Sequence, residues 1–187
     1  MSDIICAIKK DVENLLSSFC LLKITNFSIF KKFFTEKSFD TIITCKKSRL
    51  FEEFFSILLQ HLFNICLQSR RYYYRIGALY ALYLLYSHQL SQPKIKIRLT
   101  FYNIELFNEF VKFLKIHKAF EALYIILSLR GQCAFVITFT DLKIEFCSYF
   151  SQTLGGNVDN INDVCGELSQ FTKELIEPSE QFVAFIK

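Results

Sequence analysis

The sequence predicts a mainly α-helical protein, built as a multi-helix bundle or an irregular helical array. Apolar residues recur at steps of three and four over most of the chain, which is the period of an amphipathic helix. The 187 residues are 52% hydrophobic and include only 5 Gly and 2 Pro, a composition that speaks against disorder and against a turn-rich β sandwich. A chain of this length fits one domain, or one domain with a tail, and buries about 70% of its unfolded surface.

The N-terminal part predicts three or four helices. Apolar positions from Ser2 to Leu22 lie on one helical face, with charged and polar residues between them. Asn26 can cap a shorter helix that runs to about residue 33 or 34, and Ser48 opens a longer helix that runs through Cys66. Asp3, Lys9 and their charged neighbours interrupt the N-terminal segment, so we expect no signal peptide there.

The segment RIGALYALYLLYSHQLSQPKIKIRL, residues 75–99, predicts a core helix from about Tyr73 to His88 that ends before Pro93. Its apolar run from Ile76 to Tyr86 has eleven residues, too short for a bilayer span of about twenty. We expect Leu79, Leu82 and Tyr83 to be largely buried. Gly77 costs about 1 kcal/mol relative to Ala in an exposed helix, which suggests a close helix–helix contact at this position.

After Pro93 the pattern changes to an alternation of apolar and basic residues, which predicts an extended segment near 94–100. Two further helices are predicted, over about 103–116 and 118–129. The β-branched and aromatic residues near 133–139 suit a short strand, while a helix from Asp141 is an equal alternative.

Three regions follow from this pattern: a helical scaffold domain over 1–150, a linker over 151–159 that contains LGG, and a C-terminal region over 160–187. Within that last region a helix is predicted over about 160–176, before Pro178. Its apolar residues recur at helical steps, and we expect them to bind a partner helix. They are Val164, Leu168, Phe171 and Leu175.

Charge and cysteine usage exclude several classes of function. The net charge is only +4, so any contact with nucleic acid should be local. The 7 cysteines form an odd set without a C-x-x-C pair, which indicates reduced thiols and neither a disulfide framework nor a zinc site. We expect no metal and no cofactor.

Catalytic residues are also not expected. Nucleophilic catalysis needs a Ser or Cys beside a general base, and the candidate bases are His61, His88 and His117. No nucleophile elbow, HExxH, Walker loop or GxGxxG surrounds them. An enzyme is therefore the least favoured class.

Three patterns have both a functional and a structural interpretation. Tyr80, Tyr83 and Tyr86 lie near one helix face and either bind a partner or line the edge of the core. The segment RRYYYR, residues 70–75, either stacks on single-stranded nucleic acid or starts a helix with snorkelling arginines. Lys94, Lys96 and Arg98 place positive charges about 6.5–7 Å apart, which suits DNA phosphates or an acidic partner but also a solvated strand face.

Within residues 75–140 the sequence resembles the N-terminal domain of subunit 1 of the small-nuclear-RNA-activating protein complex. The family pattern R-[VI]-G-A-L-Y-x-L-Y-x-L-Y, continued by Q-P-K-x-K-I-R, is matched here by a first set of residues: Arg75, Gly77, Ala78, Leu79, Tyr80, Leu82, Tyr83, Leu85, Tyr86, Gln89, Gln92, Pro93, Lys94, Lys96, Ile97 and Arg98. A later pattern of the family, which ends in L-R and is followed by A-F-x-x-T, is matched by a second set: Phe120, Ala122, Tyr124, Leu129, Arg130, Ala134, Phe135 and Thr138.

The resemblance implies a non-catalytic scaffold subunit of a nuclear complex. That complex binds the proximal sequence element of small nuclear RNA gene promoters and supports transcription by RNA polymerases II and III. The implied partners are a largest subunit with Myb repeats, a zinc-bearing subunit and promoter DNA through the complex, with no membrane and no small-molecule substrate. A generic helical adaptor of another complex is the alternative.

Overall fold

The computed structural model describes residues 2–44 and 49–138, and the N-terminal helices lie where the sequence predicts them. Helix α1 spans Ser2–Leu22, α2 spans Phe27–Glu36 and the short α3 spans Thr41–Thr44. The Oδ1 of Asn26 accepts a hydrogen bond from the Ile29 amide at 3.0 Å, so Asn26 is the N-cap of α2. All of the described residues fall within one compact unit that spans Met1–Asp141.

Two long helices form the centre of this unit. Helix α4 spans Arg49–Gln68, and α5 spans Tyr72–His88. The predicted opening residue of α4, Ser48, lies outside the described residues. Helix α5 packs against α1, α2, α4 and a later helix, α7, which spans Phe120–Gly131. Because neighbours surround it, α5 is apolar around most of its circumference.

A two-stranded parallel sheet follows α5. Strand β1 spans Ile97–Thr100 and strand β2 spans Phe135–Thr138, with Ile97 paired with Phe135 and Thr100 with Thr138. Parallel strands need a crossover connection, and here α6, spanning Phe101–Ile116, and α7 supply it. Both segments for which a short strand was expected are therefore strands, and the mainly α fold class is confirmed.

The boundaries of α6 and α7 differ slightly from the predicted ones. Helix α6 begins at Phe101 because Thr100 is its N-cap, and the Thr100 hydroxyl accepts a hydrogen bond from the Asn103 amide at 3.3 Å. Helix α7 begins at Phe120, two residues later than predicted, because Lys118 has a φ of 53° and is not helical.

Four helices are followed, within two residues of their last residue, by a residue in the left-handed region of backbone conformation. Lys23, Ser38, Lys118 and Cys133 follow α1, α2, α6 and α7 and have φ values of 50–56°. Glycine is the usual residue at such a position, because side chains there meet the backbone. This glycine-poor chain places other residue types at these ends, at a cost of about 1–2 kcal/mol each.

Candidate functional site

Helix α5 is the centre of the candidate site, because it carries the Gly-Ala-Leu-Tyr motif. Leu79 and Leu82 are 2% and 0% exposed, whereas Tyr83 is half-buried. Burial of a leucine side chain contributes about 1.5–3 kcal/mol, so these two residues stabilise the fold. The motif thus forms core packing in this domain.

Gly77 allows α1 to approach α5 closely. A Cβ atom added at Gly77 would lie 2.9 Å from Cδ1 of Phe19 and 3.2 Å from Cδ2 of Leu16, both on α1. Phe19 and Leu16 are fully buried, and the Phe19 ring contacts the Phe30 ring edge to face at 4.8 Å between centroids. Only glycine leaves room for this contact.

Arg75 connects α5 to the C-terminal end of α4 and to α6. Its Nε donates a hydrogen bond to the Cys66 carbonyl at 2.7 Å, and its guanidinium lies over the Phe110 and Phe113 rings at 4.5 and 4.4 Å. Cations are favourable at a helix C-terminus and over aromatic faces. Burial lowers the Arg75 pKa, and the nearby Glu109 carboxylate opposes that shift. Arg75 therefore acts as a structural cation.

The three tyrosines on one face of α5 have different environments. Tyr80 is buried, and its hydroxyl donates a hydrogen bond to the Thr25 carbonyl. Burial, with the Glu121 carboxylate as a smaller cause, raises the Tyr80 pKa above its ordinary value. Tyr86 is also fully buried, and Tyr83 is half-buried. The core interpretation therefore holds for Tyr80 and Tyr86.

The basic residues Lys94, Lys96 and Arg98 are half-buried, and their side chains bond within the domain. The Lys94 ammonium donates to the Ser87 carbonyl at 3.1 Å, near the C-terminus of α5, and that of Lys96 donates to the Cys133 carbonyl. Arg98 donates to the Ser56 hydroxyl at 3.2 Å. These three side chains thus join β1 and the segment before it to α4, to the end of α5 and to the turn after α7.

Two buried glutamines fix the path of the chain after α5, and neither belongs to a predicted site. The Gln89 amide accepts from the Ile95 amide at 2.8 Å and donates to the Ile95 carbonyl at 3.2 Å. Gln60 on α4 makes the same two bonds with the Arg98 backbone, both at 3.2 Å. Each glutamine side chain thus makes with one extended residue the pair of backbone hydrogen bonds that a neighbouring strand would otherwise make. Gln89 lies within the 75–99 segment, but its partner is six residues away in a loop, so no local pattern marks the pair.

An aromatic groove of about 410 Å³ lies between the start of α2, the middle of α5 and the start of α7. Phe120 and Tyr124 on α7 are 54% and 64% exposed there, and Phe27 and Tyr83 form its other wall. Sequence reasoning missed this groove because the residues come from three separated helices.

Glu121 connects two of the walls of the aromatic groove. Its Oε2 accepts from the Phe27 amide at 2.6 Å, and its Oε1 accepts from the Asn26 side chain at 3.2 Å. A carboxylate at a helix N-terminus is favourable, so Glu121 of α7 holds the start of α2.

The three histidines show no catalytic arrangement within the described part of the chain. His88 Nδ1 lies 2.9 Å from the Leu84 carbonyl, and His117 Nδ1 lies 2.9 Å from the Phe113 carbonyl, each one turn earlier on its own helix. His61 is half-buried, and burial lowers its pKa, with a smaller contribution from Lys9. Among these described residues, no group of three or more His, Cys, Asp or Glu could hold a metal ion.

The predicted partner-binding residues Val164, Leu168, Phe171 and Leu175 lie outside the described residues. The predicted linker at 151–159 lies outside them as well. Both remain predictions from the sequence. Within the described ranges, no helix is long and apolar enough to cross a membrane.

Comparisons with known proteins agree on one family. The profile of the family described as small nuclear RNA activating complex (SNAPc), subunit 1, matches residues 8–184. The snRNA-activating protein complex subunit 1 of Macaca fascicularis is 34% identical over 133 residues, which are 70% of this chain and 36% of that protein. The proteins of that name from Mus musculus and Homo sapiens are 32% and 34% identical, also over 70% of this chain. The chain covers 34% and 36% of their respective lengths, so it spans about a third of the relatives it matches.

Proposed function

The chain belongs to the small nuclear RNA activating complex subunit 1 family, and from this membership we propose that it is a non-catalytic subunit of a complex that activates small nuclear RNA genes. The observation that carries the proposal is the family match over residues 8–184. The packing of the domain supports it, because the described motif residues join helices to one another.

We propose that the domain acts as a scaffold in the nucleus. It would hold a largest subunit with Myb repeats and a zinc-bearing subunit, which bind the proximal sequence element and support RNA polymerases II and III. Arg75 and Gly77 each join α5 to a neighbouring helix, and such internal packing supports a structural role for the motif.

The predicted helix over 160–176 is proposed to bind the largest partner through Val164, Leu168, Phe171 and Leu175. A chain that ends before Leu154 should keep the first domain folded and lose that partner. Retention of every partner by the shortened chain would contradict this assignment.

The basic strip of Lys94, Lys96 and Arg98 is proposed to contact DNA phosphates or an acidic partner through the N–H groups that remain. An ammonium has three donors, and that of Lys94 donates to the Tyr86 and Ser87 carbonyls. We expect neutralisation of the strip to weaken binding to cognate and scrambled duplexes by similar factors, because phosphate contacts carry no base information.

The proposed function is tested by tagging the chain at its own locus and identifying the proteins and promoters that it binds in the nucleus. We expect the other subunits of the complex to co-purify and small nuclear RNA promoters to be enriched over protein-coding promoters. Leu82→Asp is the loss-of-fold control, because it places an unpaired carboxylate at a fully buried position. Recovery of an unrelated set of proteins, without promoter enrichment, would contradict the proposal and favour a generic adaptor.

A further inference from the structure

A side chain closes one outer edge of the β1–β2 sheet. Ile97 donates its backbone N–H to the Ala134 carbonyl at 2.9 Å, so the backbone groups of Ile97 point toward β2. Backbone groups alternate in direction along a strand, and those of Arg98 therefore point away from β2. The side-chain amide of Gln60 on α4 bonds both of them, the N–H and the carbonyl. The outer edge of β1 is thus already paired within the domain.

The outer edge of β2 has no such cover in the described part of the chain. In the same register, the backbone groups of Val136 and Thr138 point toward β1. Those of Phe135 and Ile137 point away from β1, and they make no hydrogen bond with another residue of 2–44 or 49–138. Two N–H groups and two carbonyls along this edge therefore lack a partner within those ranges.

The side chains of β2 indicate which kind of strand fits beside it. Phe135 and Ile137 are half-buried on the face of the sheet that packs on the core, where the Phe135 ring lies 5.7 Å from the Phe63 ring between centroids. Val136 is 40% exposed on the opposite face, and Arg98 is its neighbour there. A matching strand would alternate apolar residues, which extend the core face, with polar or acidic residues on the face that carries the Arg98 cation.

We propose that the outer edge of β2 binds an extended segment of another polypeptide, which adds a third strand to the sheet. This inference rests on the proposed function, because it takes the partner to be a further subunit of the complex. The unpaired groups recur at every second residue, about 6.5–7 Å apart, and a second extended backbone matches that spacing. An edge of this kind also invites unwanted pairing, so folded proteins usually cover it.

A second copy of the same chain fits this edge less well. A specific interface between two proteins buries about 1,000 Å² or more. Strand β2 has only 4 residues, which is too short to supply that area by itself. A subunit that other contacts already hold in the complex is present at a high effective concentration, so a short strand is then sufficient.

Amide hydrogen exchange tests the proposal at single residues, in the full chain alone and in the complex purified from nuclei. In the chain alone, the amides of Phe135 and Ile137 should exchange faster than that of Val136, which bonds β1. In the complex, both outward amides should slow by at least about tenfold, because each then exchanges only when the added strand opens.

Two variants of Ile137 separate the backbone contact from the side chain. Ile137→Pro removes an outward N–H and keeps the bonds between β1 and β2, since proline is tolerated at a strand edge whose N–H faces away from the neighbouring strand. Ile137→Ala is the matched control, because it removes the same side chain and keeps the N–H. In the complex, the Phe135 amide should lose its protection in the proline variant and keep it in the alanine variant. The Val136 amide reports whether β1 and β2 still pair, and the wild-type measurement decides the question if the proline variant does not fold.

Three results would contradict this reasoning. Equal exchange of the Phe135 and Ile137 amides in the chain alone and in the complex would show that no partner strand pairs with this edge. Protection that increases with the concentration of the isolated chain would assign the edge to a second copy and overturn the inference. A wild-type chain that recovers no other subunit would contradict the proposed function, whereas an assembled complex with an unprotected edge would contradict this inference alone.

Discussion

Gly77→Ala should destabilise the domain, although alanine is the better helix former. In an unconstrained helix interior the exchange would stabilise by about 1 kcal/mol. Here the added methyl carbon would lie 2.9 Å from Cδ1 of Phe19, which is closer than carbon atoms approach in folded proteins. The Phe19 ring cannot move away easily, because it is fully buried and packs against Phe30. Overpacking of this kind costs about 1–3 kcal/mol, so we expect a net loss of up to about 2 kcal/mol.

Gly131→Ala is the matched control, because it makes the same exchange in the last residue of α7. A Cβ atom at Gly131 meets nothing within 4 Å, and its φ is not positive. The control should therefore be neutral or stabilise by about 0.5 kcal/mol, through the reduced freedom of the unfolded chain.

The free energy of unfolding of both variants, made in the full chain, is measured by urea denaturation that is monitored by far-UV circular dichroism. A loss of 1 kcal/mol should also lower the melting temperature by about 2–4 °C for a chain of this size. In the Phe19→Leu background, Gly77→Ala should cost about 1 kcal/mol less, because the ring that it meets is gone. If Gly77→Ala and Gly131→Ala have the same stabilising effect, α1 does not press on α5 at this point and the packing argument is wrong.

Three further expectations concern single positions. Ser38→Gly should stabilise the domain by about 1 kcal/mol in urea unfolding, because Ser38 has a φ of 56° that glycine adopts without strain; a loss of stability would show that the serine side chain has a role of its own. Glu121→Ala should destabilise by about 1 kcal/mol, since it removes the acceptor for the Phe27 amide; an unchanged midpoint would show that water replaces the carboxylate. The pKa of His61 is lowered in the fold by burial, so the unfolded chain binds a proton more readily. Stability should therefore fall as the pH drops below about 6.5, the ordinary His pKa. His61→Gln should reduce this loss, and an identical pH dependence in the variant would assign the effect to other groups.

The positions of the helices were predictable from local chemistry. The period of apolar residues located α1, α4 and α5 to within a residue or two of their described ends, and Asn26 identified the start of α2. Pro93 and the alternation after it marked the end of α5 and the extended chain that leads to β1. Such signals act between residues a few positions apart, so the sequence alone contains them.

Several details depended on conformations that residue type does not specify. Lys118 begins no helix because it adopts a left-handed conformation that lysine rarely takes, and α7 therefore starts two residues late. The parallel pairing of β1 with β2 depends on contacts across two intervening helices. The pattern of each strand indicated extended chain without indicating its partner.

The candidate site also combines features that local sequence signals predict with features that depend on the tertiary structure. By itself the sequence determined that α5 is a core helix, that Gly77 marks a close contact and which family the 75–140 region resembles. These conclusions depend only on residue types and on their spacing along the chain. Only the tertiary structure decided what the cations of the basic strip contact. Lys94 and Lys96 look solvated as an alternating strand, yet folding places carbonyls from α5 and from the end of α7 within reach of their ammonium groups. Tyr72 and His117 are 45 positions apart in the sequence, yet their rings stack with centroids 4.9 Å apart. The physical reason is that hydrogen bonds and charges act through space, whereas a sequence pattern reports only neighbours along the chain.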